Sequence, residues 1–171
     1  MTRQVDVTVY YLEMLAPTGR ELPAPRDDLT VVHAVAPTAR YYRFLYNAVG
    51  DDYHWYRCKR MTDDELTTRI HDPLIEVHVL HVAGTPAGFA ELDCREPGEV
   101  EIIQFGLMPE FIGRRMGPWF LQQVVDIGWS RSPRRVWLHT CTLDHPSALS
   151  MYEKTGFVRY KDEQIRREIP L

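Results

Sequence analysis

Residues 105–157 run strand, Arg/Gly-rich loop, helix, strand, short helix, and that order leaves few folds open. The first apolar run is IIQFGLM, and the loop that follows reads FIGRRMGPWF. It leads into the amphipathic stretch PWFLQQVVDIGW, then the strand-like RRVWLHTCT, then a short helix carrying MYEKTGF. A loop of this kind ending at a helix N-terminus suits phosphate groups. The N–H groups of the first helical turn have no helical partners and point outward, where the helix dipole also favours anions.

The rest of the chain reads in the same way. Loose alternation predicts a strand over 5–15, followed by a loop through the Pro-rich stretch 17–25. LTVVHAV (29–35) predicts a second strand, and Tyr42, Leu45 and Tyr46 at helical spacing predict a helix over 38–49. The segment 51–61 is aromatic and irregular, and Thr62 with Glu65 forms a capping box that opens a helix over 63–70. From Ile75 the period becomes two, giving a hairpin (76–82 and 86–93) around Ala83, Gly84 and Thr85, then a strand over 99–107. The main helix is expected from about Arg114 to Trp129, a strand over 134–142, and a helix over 146–155 stopped by Gly156. Two short strands, 157–161 and 164–169, are expected to finish the chain.

The predicted order is β-β-α-α-β-β-β-α-β-α-β-β. Three consecutive strands followed by β-α-β units imply an α/β (α+β) fold, a mixed sheet with helices on its faces. The 171 residues favour one domain, 1–171, with 1–28 as an extra N-terminal strand and Pro-rich loop. With 44% hydrophobic and 26% charged residues, the composition is that of a soluble globular protein. A net charge of −4, with both signs interleaved, argues against nucleic acid as a partner. It leaves room for an acidic pocket that attracts amines. Cys58, Cys94 and Cys141 are far apart and form no CxxC, so neither a disulfide framework nor a metal site is expected. No signal peptide or membrane-spanning stretch is read, which makes the cytoplasm the expected location.

Two segments, LMPEFIGRRMG (107–117) and DHPSALSMYEKTGF (144–157), resemble the GNAT superfamily of acyl-CoA-dependent N-acetyltransferases. Element order agrees from about Leu29 to Phe157. The resemblance implies a central, mostly antiparallel sheet with a V-shaped splay between two parallel strands. The family's loop pattern is Q/R-x-x-G-x-G/A, and here those positions are Ile112, Gly113, Arg114, Arg115, Met116 and Gly117. The chain departs from it at Ile112 and Arg115. Gly113 and Gly117 still permit close backbone approach, Arg114 and Arg115 add positive charge, and Pro118 fits the first helical turn. By the resemblance, Gly113 to Pro118 hold the pyrophosphate of acetyl-CoA. The end of the preceding strand, Leu107 and Met108 above all, would pair with its pantetheine arm. Tyr152 would be the acid that protonates the departing thiolate; packing is its other reading. His145 would touch the pantetheine arm or cap the last helix.

Transfer to an amine needs a base. Glu101, eleven positions before Ile112, matches the offset of the catalytic Glu in the histone-modifying branch of the family. Glu91 and His139 are further candidates, while Gln104 has the opposite strand parity to Glu101. Cys141 is expected to pack rather than act as a nucleophile, and the odd spacing of His78 and His81 excludes a metal pair on one face. Tyr53, His54, Trp55 and Tyr56 either cage an amine or plug the space between two helices. The expected activity is acetyl transfer from acetyl-CoA to a small-molecule or peptide amine by direct attack in a ternary complex. The alternative is a non-catalytic CoA-binding or regulatory module with the same fold. No membrane partner is expected, and a homodimer is compatible with the resemblance.

Overall fold

In a computed structural model, which describes residues 2–170, seven strands form one sheet. They are β1 (Thr2–Met14), β2 (Leu29–His33), β3 (Ile75–Val82), β4 (Thr85–Asp93), β5 (Glu99–Leu107), β6 (Arg135–Cys141) and β7 (Val158–Pro170). Their order across the sheet is β2-β3-β4-β5-β6-β1-β7. The β5–β6 pair is parallel and the other pairs are antiparallel. This is the mixed, mostly antiparallel sheet expected from the sequence.

The helices form where an apolar stripe meets an end signal. In α1 (Ala39–Gly50) the Thr38 hydroxyl accepts from the Tyr41 N–H at 3.2 Å. In α2 (Asp63–Ile70) the capping box of Thr62 and Glu65 is complete. The third helix, α3 (Met116–Trp129), has no side-chain cap, and α4 (Ala148–Thr155) stops at Gly156, whose φ of 115° a side chain would resist. Tyr42, Leu45, Leu66 and Ile70 of α1 and α2 pack on Val77, Val79 and Phe89 on one face of the sheet. Phe120, Leu121, Val124 and Tyr152 of α3 and α4 pack on Leu80, Leu92, Ile102 and Leu138 on the other. Both faces of β3 and β4 are therefore largely dry.

Two expectations need correction. The C-terminal segment is one 13-residue strand, because β1 runs beside it from end to end and absorbs the irregularity as a bulge at Tyr160. The main helix begins at Met116 rather than Arg114, because Arg115 adopts the left-handed conformation (φ 63°).

Candidate active site

β5 and β6 stay together only from Glu99 to Ile102 on one side and from Arg135 to Leu138 on the other. Beyond that point β6 continues against β1 as far as Cys141, paired with Val9. Meanwhile β5 stays with β4 as far as Leu107, paired with Gly88. The two parallel strands diverge. A bulge at Ile103 accompanies the divergence, because Glu91 pairs with Gln104 while Leu92 pairs with Ile102. An extra residue bends a strand and sharpens its twist. It also reverses parity, so Gln104 shares the α1/α2 face with Glu101, contrary to the expectation from simple alternation.

The gap opens into a cavity of about 1090 Å³. Ile103 to Leu107 line it, and no strand covers their free edge, so backbone N–H and C=O groups face the gap. Leu107 lies on this edge. Met108 does not: it is buried beneath α1, and its N–H donates to the Ala87 carbonyl at 2.8 Å. Gly106 makes room for α1, since a Cβ there would sit 2.4 Å from Val49 Cγ1.

At one end of the cavity lies the N-terminus of α3. Gly113 and Arg115 both have positive φ, 79° and 63°. Arg115 holds the position where the family pattern has Gly, and a side chain there costs about 1–2 kcal/mol. Because Arg115 offers no side-chain cap, the first-turn N–H groups of α3 remain available to an anion. Gly113, Arg115, Gly117 and Pro118 line the cavity. Met116 is instead fully buried in the core, and Arg114 lies over the Phe111 ring, 5.7 Å from its centroid.

Tyr152 lines the same end, edge-on to Phe105 and to Phe157 at 6.3 Å each. Its hydroxyl has no protein hydrogen-bond partner among the described residues. Burial, with the Asp144 charge adding to it, pushes the phenol far above its ordinary range, so it stays protonated. His145 Nδ1 accepts from the Ser147 N–H (3.1 Å) and pairs with the Ser147 hydroxyl (2.7 Å), which organises the start of α4. Its ring also meets Tyr53 edge-on at 6.1 Å. Asp144 accepts from Thr140 Oγ1 and the Cys141 N–H, pinning the turn after β6.

The candidate bases separate clearly. Glu91 is fully buried and held by Arg69 and the Tyr42 hydroxyl, away from the cavity. Glu101 occupies a smaller depression of about 280 Å³ beside Asp93, Glu99 and Trp137. It meets the main cavity through His139, whose Nδ1 is 3.3 Å from Glu101 Oε1 and which lines the cavity itself. Cys141 also lines the cavity, and burial pushes its thiol up, which disfavours the nucleophilic thiolate. Trp55 packs on Tyr46 (5.4 Å) and Phe89 (6.2 Å), filling the space between helix and sheet. Trp55 also lines the cavity with Tyr53, His54 and Tyr56, so the aromatic cluster serves both readings.

Sequence reasoning passed over several lining residues. Arg20 and Leu22 come from the Pro-rich loop, which folds back so that Arg20 donates to the Lys154 carbonyl. Arg57, Arg60 and Arg167 line the cavity as well. No local pattern marks them, since each depends on how distant segments fold together. Among the described residues no group of three or more His, Cys, Asp or Glu is placed to hold a metal, and no helix is long and apolar enough to cross a membrane.

The acetyltransferase (GNAT) family model matches residues 39–157, which span both helical layers and the splayed strands. The chain belongs to the GNAT family. A GCN5-related N-acetyltransferase from Sphaerobacter thermophilus aligns with 98% of the chain and 52% of its own length, at 17% identity and a TM-score of 0.69. A spermidine N-acetyltransferase from Vibrio cholerae, solved as a dodecamer, aligns at 20% identity over 83% of this chain and 93% of that one (TM-score 0.59). An aminoglycoside acetyltransferase from an uncultured soil metagenomic sample aligns at 11% identity over 75% and 88% (TM-score 0.62). The GNAT chain spans 52% to 66% of the length of four solved chains that it matches over 98% of its own. No curated protein sequence matches it. These likenesses support the fold; the family membership supports acetyltransferase activity in general.

Proposed function

We propose that this GNAT protein transfers an acetyl group from acetyl-CoA to a primary amine by direct attack in a ternary complex. The observation that carries the reading is the gap between β5 and β6, with an uncapped helix N-terminus at its end and the Tyr152 phenol on its wall. The α3 N-terminus and Arg115 would hold the pyrophosphate, and the free edge of β5 at Leu107 would pair with the pantetheine amides. Gly113, Gly117 and Pro118 keep that approach open.

The amine nitrogen attacks the thioester carbonyl carbon, the carbon–sulfur bond breaks, and its electron pair leaves with sulfur. Tyr152 donates a proton to that sulfur. The proton released by the amine goes to His139, which Glu101 orients and stabilises at 3.3 Å. Glu101 thus acts through His139, and Gln104 on the same face is placed to hold the acceptor.

Isothermal titration of acetyl-CoA into the protein should give a dissociation constant in roughly the micromolar range. A flat titration at millimolar ligand overturns the reading. Sustained binding with no CoA release over a broad amine panel would instead identify a non-catalytic CoA-binding module. Glu101→Gln should lower turnover less than His139→Gln. The reverse order would make Glu101 the direct base.

A further inference from the structure

The two faces of the sheet divide the cavity, and charge is distributed unequally between them. On the α3 and α4 side, Arg115, Lys154 and Arg20 line it. On the face of the sheet that carries α1, the cavity is lined by a second set: Arg57, Arg60 and Arg167. The sheet register places Arg167 on this face. Val5 pairs with Arg167 and Val9 with Cys141, and Cys141 shares strand parity with His139 and Trp137. The Arg167 guanidinium also lies 3.8 Å from Cys141 Sγ, at the end of β6 and on the side of His139. Arg57 and Arg60 flank the turn that follows Trp55, which packs against Tyr46 and beneath Gly106.

Among the described residues these three arginines have no carboxylate partner, whereas the basic residues Lys59 and Arg43 beside Arg57 and Arg60 do. Lys59 pairs with Asp51, and Arg43 pairs with Asp63 and the carbonyls of Cys58 and Met61. Among the described residues, no carboxylate lies within ion-pair distance of Arg57, Arg60 or Arg167. The cavity wall has two carboxylates, and both are engaged elsewhere. Asp144 is bound to Thr140 and the Cys141 N–H, and Glu168 accepts from Thr2 on the opposite face of the β1–β7 ribbon. In a chain of net charge −4, three unpaired guanidinium groups on one wall are a local excess that an anion would satisfy.

We infer that the acceptor is a primary amine carrying a carboxylate, an amino acid or a peptide-like acid, held by Arg167 with Arg57 and Arg60. The inference rests on the acetyl-transfer reading and narrows its substrate class. Planar guanidinium groups recognise carboxylate through paired N–H donors. The same groups repel a polyamine, so the acceptor differs from the spermidine named for the Vibrio cholerae enzyme. With the carboxylate anchored there, the amine end can extend past Tyr53 and Tyr56 toward His139 at the splay.

The test is a matched panel: L-amino acids, their amides, their decarboxylated amines, and spermidine. Two readouts are taken, CoA release from acetyl-CoA and calorimetric binding of each amine to protein saturated with CoA. The free acids should exceed their amides and decarboxylated counterparts by about tenfold or more in kcat/KM and in affinity. Arg167→Gln should raise the acceptor KM about tenfold and leave the acetyl-CoA dissociation constant unchanged. If Arg167→Gln fails to fold, Arg57→Gln, at an exposed turn, carries the same expectation. A preference for spermidine or for the amides overturns the inference, as does failure of every free acid to bind. So does a loss of acetyl-CoA binding in the Arg167 variant with acceptor KM unchanged. A wild-type protein that binds no acetyl-CoA takes down the parent reading first, so the two failures are distinct.

Discussion

The end of the cavity against α3 is made largely of backbone, whereas the end against α1 is made of side chains drawn from residues 53–60, 139 and 167. The first end is a single continuous run of chain, from the free edge of β5 through Gly113 to Pro118. Its chemistry comes from N–H groups and a helix dipole, which tolerate changes of side chain. The second end depends on charge and shape at a few positions supplied by three distant segments. A fold built this way can keep one ligand while exchanging another.

Tyr152→Phe is the sharpest way to break that contrast, because the phenol stands at the backbone end yet, in the proposed mechanism, would act through a side chain. It should lower turnover by about a hundredfold or more while leaving acetyl-CoA affinity and folding unchanged. Steady-state kinetics with calorimetry checks this. An unchanged turnover number would reassign Tyr152 to packing against Phe105 and Phe157.

The same contrast governs what the sequence could reveal. The strand–loop–helix run, the capping box at Thr62 and the stop at Gly156 are local, so residue order alone displays them. Arg167 sits on a wall of the cavity because β7 pairs with β1, some 160 residues earlier, and no local pattern announces that pairing. The bulge at Ile103 has no Gly or Pro to mark it, yet it moves Gln104 to the face of Glu101. Met108 and Met116 fall inside the run that the family pattern assigns to the ligand, but turn into the core. Even the departure at Arg115 reads differently in three dimensions. The left-handed backbone that favours Gly is kept, and the arginine adopts it.

A cluster remote from both ends supplies a control on stability. His78 is buried beside Glu76 (2.8 Å) and stacked on His33 (4.7 Å), and Arg131 pairs with Glu76. Burial lowers the His78 pKa to about 4, and its influence on His33 runs in the same direction. The Glu76 carboxylate alone would raise His78, but Arg131 already takes up that charge, so burial wins. The folded state therefore binds fewer protons than the unfolded state between about pH 4 and 6.5, and stability rises with pH across that window. The loss on acidification should be on the order of 2–3 kcal/mol, read from urea midpoints, and His78→Gln should flatten it. A slope that persists unchanged in His78→Gln would place the acid sensitivity elsewhere.

Gly106→Ala probes the α1 side directly. Its new methyl would meet Val49 Cγ1 at 2.4 Å, so Val49 must turn aside or α1 must shift from the sheet. The expected cost is roughly 1–3 kcal/mol, with a rise in acceptor KM that exceeds any change in acetyl-CoA affinity. Equal losses for both ligands would show that the two ends are mechanically coupled through β5.

The smallest expected effect tests the backbone end most cleanly. At Arg115 the left-handed backbone costs about 1–2 kcal/mol, and glycine would remove that cost, offset partly by the greater freedom of its unfolded state. Arg115→Gly should therefore raise the unfolding free energy by up to about 1 kcal/mol. If the N–H groups of α3 hold the pyrophosphate, the same change should weaken acetyl-CoA by only about three- to tenfold, the share of one exposed guanidinium. If the guanidinium is the main anchor, binding falls much further while stability still rises. The two quantities move independently, so one variant measured by calorimetry and denaturation decides whether backbone or side chain carries that end of the site.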